Sequence, residues 1–338
     1  MPTNTAAWLT EAKSIPFTIK SAPLVSPGPN QILIKNHAIA INPIDGKLQY
    51  HAIYPIKYPT ILGQDVAGEV VAVGPDVARF KAGDRVLGMT AGFVTGKDEE
   101  KGFQEYTILN VDVTSEIPES VPFENAVVLP LALATAASGL FNPDILNLNL
   151  PIEPAQKSSG KTLLVWGGAS SVGSNAIQLA IAAGYEVIAT ASPKNFQYVK
   201  NLGAKEVFDY NTPSVVSDLV HAFEGKTSAG VFDAIGGAAW APAIEFVEKT
   251  GSKMVATVLA GFPDPPEGVE VKKVYAPSIL SNNIGKAVFE DFLPKALEAG
   301  AYVTAPEPIV AGKGLEGIQV GVDLLRNAVS AKKVVVAL

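Results

Sequence analysis

The sequence predicts an α/β protein in two parts, a compact β-barrel followed by a doubly wound parallel sheet of the Rossmann kind. Three observations carry this. Up to about Val121 the chain is cut into short β-segments by Gly and Pro; beyond Pro130 apolar strands alternate with helical stretches; and a Gly-rich turn joins the first of those strands to a helix.

The first part holds the β-segments Gln31–Asn36, Val66–Val73, Arg85–Leu87 and Phe103–Leu109, punctuated by the turns Gly74-Pro75-Asp76 and Ala82-Gly83-Asp84. In the second part the expected strands are Lys161–Trp166, Glu186–Thr190, Glu206–Phe208, Val231–Ile235 and Lys253–Val258. The first two helices end near Ala183 and Leu202. Each is followed by a glycine, Gly184 or Gly203, the residue that tolerates a left-handed helix end. A last stretch, Ala301–Leu338, places strands at Pro306–Val310 and Lys333–Val336 around a helix near Leu315–Ala328. It can extend the parallel sheet or return to the first part, and its periodicity fits both.

With 338 residues the chain is long for one core and suggests two domains. Apolar residues at 48% against 17% charged describe a well-buried enzyme rather than a disordered chain. The formal net charge of −7 offers no basic face for a polymer of phosphates, so nucleic acid is not an expected partner. No stretch of about twenty apolar residues is read in the sequence and the N-terminus lacks a signal-peptide pattern, so a cytoplasmic protein without membrane contact is expected. Cysteine is absent, which removes disulfides, thiolate nucleophiles and thiolate-ligated metals.

The Gly-rich turn reads Val165-Trp166-Gly167-Gly168-Ala169-Ser170-Ser171-Val172-Gly173, with Gly168, Ser170 and Gly173 in the three positions of G-x-G-x-x-G. The glycines either form a tight turn only or cradle a pyrophosphate at a helix N-terminus. The complete βαβ context favours the cradle, with Gly168, Ala169, Ser170, Ser171, Val172 and Gly173 as its residues. The next strand runs into Ala191-Ser192-Pro193-Lys194 without the acidic residue that would take ribose hydroxyls. Ser192 and Lys194 suit a 2′-phosphate instead, so the expected cofactor is NADPH, although a loop lysine is often merely solvated.

Several motifs in order, Asn42-Pro43-Ile44-Asp45, Gly63-Gln64-Asp65-Val66-Ala67-Gly68-Glu69-Val70, Gly83-Asp84-Arg85-Val86, the Gly168 to Gly173 turn and Leu202-Gly203-Ala204, resemble the medium-chain dehydrogenase/reductase superfamily. The resemblance covers nearly the whole chain. It implies a GroES-like catalytic domain over 1–125, a Rossmann NADPH-binding domain over 126–285 and a C-terminal return to the catalytic domain over 286–338. Within the superfamily the chain is similar to the zinc-independent quinone and enoyl reductase branch, and most to fungal trans-acting enoyl reductases. Where zinc members carry Cys, His and Cys, this chain has Asn42, Gln64 and a residue near Leu131 that is not Cys, and the three histidines, His37, His51 and His221, lack ligand spacing. No metal is expected.

Without a Lewis acid the substrate must already be electrophilic, as an enone, enoyl thioester or quinone is. Hydride then adds to the β-carbon, and fixed donors stabilise the charge on the carbonyl oxygen. The resemblance implies Tyr54, Asn42 and Gln64 as catalytic residues, with Tyr54 the proton donor; for Asn42 and Gln64 the alternative is that they only fill the former metal site. Asp45 is expected to brace the turn after Asn42-Pro43 rather than act as an acid. Thr135 is implied near the nicotinamide, Tyr210 near the 2′-phosphate, and Lys332 with its neighbour Lys333 near a phosphate. Ile235, Val258 and Leu259 lie at the carboxyl ends of strands, where an open parallel sheet binds its ligand. The expected activity is reduction of an activated C=C bond in a small-molecule or carrier-bound acyl substrate by a monomer or homodimer, with a polyketide synthase as an implied partner. The alternatives are quinone reduction and a non-catalytic dinucleotide-binding or auxiliary biosynthetic protein.

Overall fold

The strands in chain order are β1 (Asn4–Leu9), β2 (Thr18–Ala22), β3 (Gln31–Ala40), β4 (Thr60–Ile61), β5 (Asp65–Val73), β6 (Arg85–Met89), β7 (Tyr106–Asn110), β8 (Thr114–Glu116), β9 (Lys161–Trp166), β10 (Glu186–Ala191), β11 (Glu206–Asp209), β12 (Thr227–Asp233), β13 (Met254–Thr257), β14 (Glu270–Lys273), β15 (Glu307–Lys313) and β16 (Lys332–Ala337). The computed structural model describes residues 3–338 and divides into two units.

The first unit comprises the described residues up to Leu131 together with Thr304–Leu338. Its larger sheet runs β15-β16-β3-β5-β6-β8, with β7 also paired to β3, and a second sheet orders β2-β1-β4. The C-terminal stretch returns here: β16 pairs antiparallel with β3 through Val335 opposite Ala40 and Val336 opposite Ile39. The inward positions of these strands, among them Leu9, Ile34, Ile39, Val66, Val334 and Val336, form one core with Phe103, the helix Pro43–His51 and the helix Gly317–Arg326. This is the GroES-like barrel.

The second unit, Ala132–Val303, is the Rossmann domain. Its six strands are all parallel in the order β11-β10-β9-β12-β13-β14, with the switch of direction between β9 and β12. Strands β9 and β10 are apolar on both faces because helices cover both, and Leu164, Trp166, Ile188, Phe246 and Val255 lie in the core. Gly184 and Gly203 have φ of 87° and 107°, as expected of the residues that stop their helices.

The unit limits differ from 125/126 and 285/286. Residues up to Leu131 stay with the first unit because the Leu131 N–H donates to Asp65 Oδ1 at 2.6 Å. The segment to Val303 stays with the second because Tyr302 Oη donates to Asn175 at 2.6 Å and the Val303 N–H to Gln178 at 2.8 Å. Strand β12 ends at Asp233 rather than Ile235, since the Asp233 carboxylate takes the N–H groups of Ile235 and Gly236 and turns the chain. Contrary to the expectation of no apolar stretch of this length, residues 123–141 are long and apolar enough to cross a membrane by length and composition, with mean hydropathy 1.4, but 72% of that window is buried inside the protein.

Candidate functional site

In the Rossmann unit β9 delivers Gly167 and Gly168 into the start of the helix Ser171–Ala182. Thr190 at the end of β10 fixes the turn, accepting Gly167 N–H on Oγ1 at 3.0 Å and Gly168 N–H on its carbonyl at 2.8 Å. Ser170 caps the helix: its Oγ accepts the Gly173 N–H at 3.0 Å and its carbonyl the Ser174 N–H at 2.8 Å. First-turn amides have no acceptor within a helix, so those of Ser171 and Val172 are offered to a ligand at the positive end of the dipole. A Cβ on Gly173 would lie 2.2 Å from the Gly167 carbonyl oxygen, so only glycine lets the helix sit this close to the turn. The cradle fits a pyrophosphate.

Around the cradle, Ser192 and Lys194 occupy a short 3₁₀ turn after β10, where Ser192 Oγ accepts from the Asn195 amide at 3.2 Å and Lys194 is exposed. Tyr210 follows β11 and is 45% exposed. Ile235 is exposed after β12; Val258 and Leu259, half-buried, follow β13; and Thr135 is half-buried on the helix Pro130–Phe141. Sequence reasoning missed two supports. Asp233 Oδ2 accepts from Thr257 Oγ1 at 2.8 Å while Oδ1 holds the turn at Ile235 and Gly236, and Tyr198 shares a 2.8 Å hydrogen bond with Ser174, whose Oγ also donates to the Gly168 carbonyl. Burial raises the Tyr198 phenol to about 12, so it stays neutral.

In the barrel unit Asn42 and Asp65, near the facing ends of β3 and β5, meet Lys333 from β16. Lys333 Nζ lies 2.9 Å from Asp65 Oδ2 and 2.7 Å from Asn42 Oδ1, while Asn42 Nδ2 donates to Asp65 Oδ2 at 2.8 Å. The charges fix the amide: the carboxylate takes its NH₂ and the ammonium its oxygen. Asp65 is 0% and Lys333 4% exposed, so this is a buried ion pair. Lys333 is therefore not a phosphate ligand. Lys332 alternates to the other face of β16 and is ion-paired with Glu307, a barrel-unit partner that competes with the expected phosphate.

Asp45 braces the turn as expected, its Oδ2 accepting the Asn42 N–H at 2.8 Å. Its other oxygen is buried without a partner; the Gly63 amide lies close enough to favour the anion slightly but does not reach hydrogen-bond geometry. Burial is the main reason the Asp45 carboxyl rises to about 7, reinforced by the Asp65 charge and opposed by the Asn42 amide and by Lys333. Gln64 is buried and borders a cavity of about 490 Å³ that Asp45 also lines. Tyr54 is 43% exposed, its ring edge-on to Phe93 at 5.9 Å.

Two family models match, the alcohol dehydrogenase GroES-like domain over residues 28–119 and the zinc-binding dehydrogenase over 171–284. The chain is 54% identical to the zinc-binding alcohol dehydrogenase domain-containing protein cipB of Emericella nidulans over 99% of this chain and 98% of that protein. It belongs to the medium-chain dehydrogenase/reductase superfamily. A second relative, the trans-enoyl reductase himH of Aspergillus japonicus, is 39% identical over 98% of this chain and 97% of that one. Among solved structures, an alcohol dehydrogenase superfamily protein from Novosphingobium aromaticivorans superposes with a TM-score of 0.79 at 26% identity, covering 99% and 100% of the two chains. This medium-chain dehydrogenase/reductase is thus an oxidoreductase.

Zinc, which the second model's description implies, does not fit this member. The chain has no cysteine, and the described residues bring no three His, Asp or Glu together. At the matching position Asn42 already binds a cation, the Lys333 ammonium, which would repel a second one.

Proposed function

We propose that the protein is an NADPH-dependent, metal-independent reductase of an activated carbon–carbon double bond in an enoyl thioester or enone. We further propose that it acts in trans on carrier-bound acyl chains of fungal polyketide biosynthesis, with a polyketide synthase as partner. The observation that carries the reading is the Asn42–Asp65–Lys333 cluster: amide and ammonium donors stand where zinc members hold a Lewis acid, so the substrate must bring its own electrophilic carbon. The name of the himH relative supports the enoyl class and the trans-acting role.

When bound, the nicotinamide supplies a hydride to the β-carbon. Gly168, Ala169, Ser170, Ser171, Val172 and Gly173 hold the pyrophosphate; Ser192, Lys194 and Tyr210 take the 2′-phosphate; and Thr135, Ile235, Val258 and Leu259 line the rest of the dinucleotide site. Asn42 has one amide hydrogen beyond its bond to Asp65, and with Gln64 it orients the carbonyl oxygen on which charge develops. The proton is assigned to Tyr54, a phenol accessible enough to be resupplied from solvent. Following NADPH oxidation with trans-octenoyl thioester, cinnamoyl ketones and quinones tests the assignment. Turnover with the alkenes and formation of the saturated product supports it; oxidation by quinones alone replaces it.

A further inference from the structure

The helix Ser171–Ala182 buries three polar side chains, Ser174, Asn175 and Gln178, beside Ile177, Leu179 and Ala180. A hydroxyl or amide shut away from water costs about 1–3 kcal/mol unless it is hydrogen-bonded, so each needs a built partner. Two of the three find it in phenols. Ser174 Oγ gives its one hydrogen to the Gly168 carbonyl at 3.2 Å, so in the 2.8 Å contact with Tyr198 it is the phenol that donates. Tyr302 Oη donates to Asn175 Oδ1 at 2.6 Å, and Asn175 Nδ2 donates to the Ser171 carbonyl at 2.8 Å. Burial raises Tyr198 to about 12 and Tyr302 well above the ordinary phenol range, so both keep the hydrogen they donate.

Both chains of hydrogen bonds end on a carbonyl of the cradle. The peptide bonds after Gly168 and Ser171 are trans, and in a trans peptide the C=O and the following N–H point in opposite directions. A Gly168 carbonyl held toward Ser174 therefore turns the Ala169 N–H the other way, and a Ser171 carbonyl held by Asn175 does the same for the Val172 N–H. We propose that Tyr198 and Tyr302 are positioning residues for the dinucleotide: acting through Ser174 and Asn175, they fix two peptide units so that the Ala169 and Val172 amides face the pyrophosphate. Without its phenol the Ser174 hydroxyl can rotate off the Gly168 carbonyl, and the cost of ordering that peptide then falls on binding. The inference rests on the assignment of the cradle to a dinucleotide pyrophosphate and is independent of the reaction that follows.

In the full-length protein, calorimetry measures NADPH and NADH affinity for wild type, Tyr198→Phe, Ser174→Ala, their double variant and Tyr302→Phe, while amide NMR follows Ala169 and Val172 as NADPH is added. Each phenol variant should weaken both dinucleotides about five- to tenfold, the worth of one hydrogen bond, with the NADPH-to-NADH ratio unchanged. Tyr198→Phe should add little to Ser174→Ala, because the phenol acts through that hydroxyl. The downfield shift that phosphate binding gives the Ala169 amide should shrink in Tyr198→Phe, and that of Val172 in Tyr302→Phe; a general loss of stability would not single out these amides. Ser174→Ala, the smallest change, carries the affinity test should a phenol variant not fold. Unchanged affinity in the folded variants, full additivity of Tyr198→Phe with Ser174→Ala, or amide shifts equal to those of wild type would overturn the positioning role and leave the cradle standing. Wild type that binds neither dinucleotide refutes the cradle assignment itself.

Discussion

Replacing Lys333 by Met, a side chain of similar reach without charge, isolates the worth of the buried cation. Asp65, 0% exposed, keeps the Leu131 amide and the Asn42 amide but loses its ion pair, and Asn42 Oδ1 loses its donor. Stripping one partner from a buried pair costs about 3–5 kcal/mol. The predicted loss is therefore of that order, about 3–5 kcal/mol. Hydrogen exchange of amides in β3, β5 and β16 measures this opening in the barrel unit without assuming two-state unfolding of both units. Adding Asp65→Asn to Lys333→Met should recover at least half the loss, because the charge is gone and an acceptor remains for Leu131. A cost below about 1 kcal/mol would refute the view of Lys333 as an obligatory internal counter-charge.

Gly173→Ala, ordinarily a helix-strengthening change worth about 1 kcal/mol, should instead weaken dinucleotide binding at least tenfold in calorimetry, since its Cβ meets the Gly167 carbonyl at 2.2 Å. Lys194→Ala should weaken NADPH binding by about 10–100-fold, the worth of a charge-assisted hydrogen bond, and leave NADH nearly unchanged; equal losses refute the 2′-phosphate role. Asp45, raised to about 7 chiefly by burial, is protonated in the folded protein and ionised in the unfolded chain between about pH 4 and 7. Its contribution is thus harmless below about 4 and destabilising above about 7, by up to about 4 kcal/mol, so stability of wild type relative to Asp45→Asn should fall across that window in thermal denaturation. Parallel profiles would show that Asp45 titrates normally. Tyr54→Phe should lower kcat with NADPH affinity unchanged, and an unchanged kcat removes Tyr54 from proton delivery.

What was legible in the sequence was local. The Gly168 to Gly173 turn could be read because its residues are contiguous, and its neighbours Gly184 and Gly203 marked the helix ends that the backbone shows. Strands β3, β5, β9 and β10 announced themselves through apolar runs bounded by turns, whereas β14, Glu-Val-Lys-Lys, carries no such pattern and forms because β13 offers it a parallel edge. The Asn42–Asp65–Lys333 cluster was not legible as a whole, because Asn42 and Lys333 are 291 residues apart and meet only when β16 returns to β3. Alternation along β16 dictates that one of Lys332 and Lys333 points inward, but only the register with β3 decides which. Asp45 was legible as a brace; the second, unpartnered oxygen follows from how the surrounding barrel buries it.

The most direct test of the reductase assignment uses NADPH carrying deuterium on the transferred position together with a trans-octenoyl thioester, and analyses the product by mass spectrometry and NMR. The expected product is a saturated thioester with one deuterium on the β-carbon and one solvent-derived hydrogen on the α-carbon. Deuterium on a carbinol carbon, or no consumption of NADPH with any enoyl, enone or quinone acceptor, would contradict it.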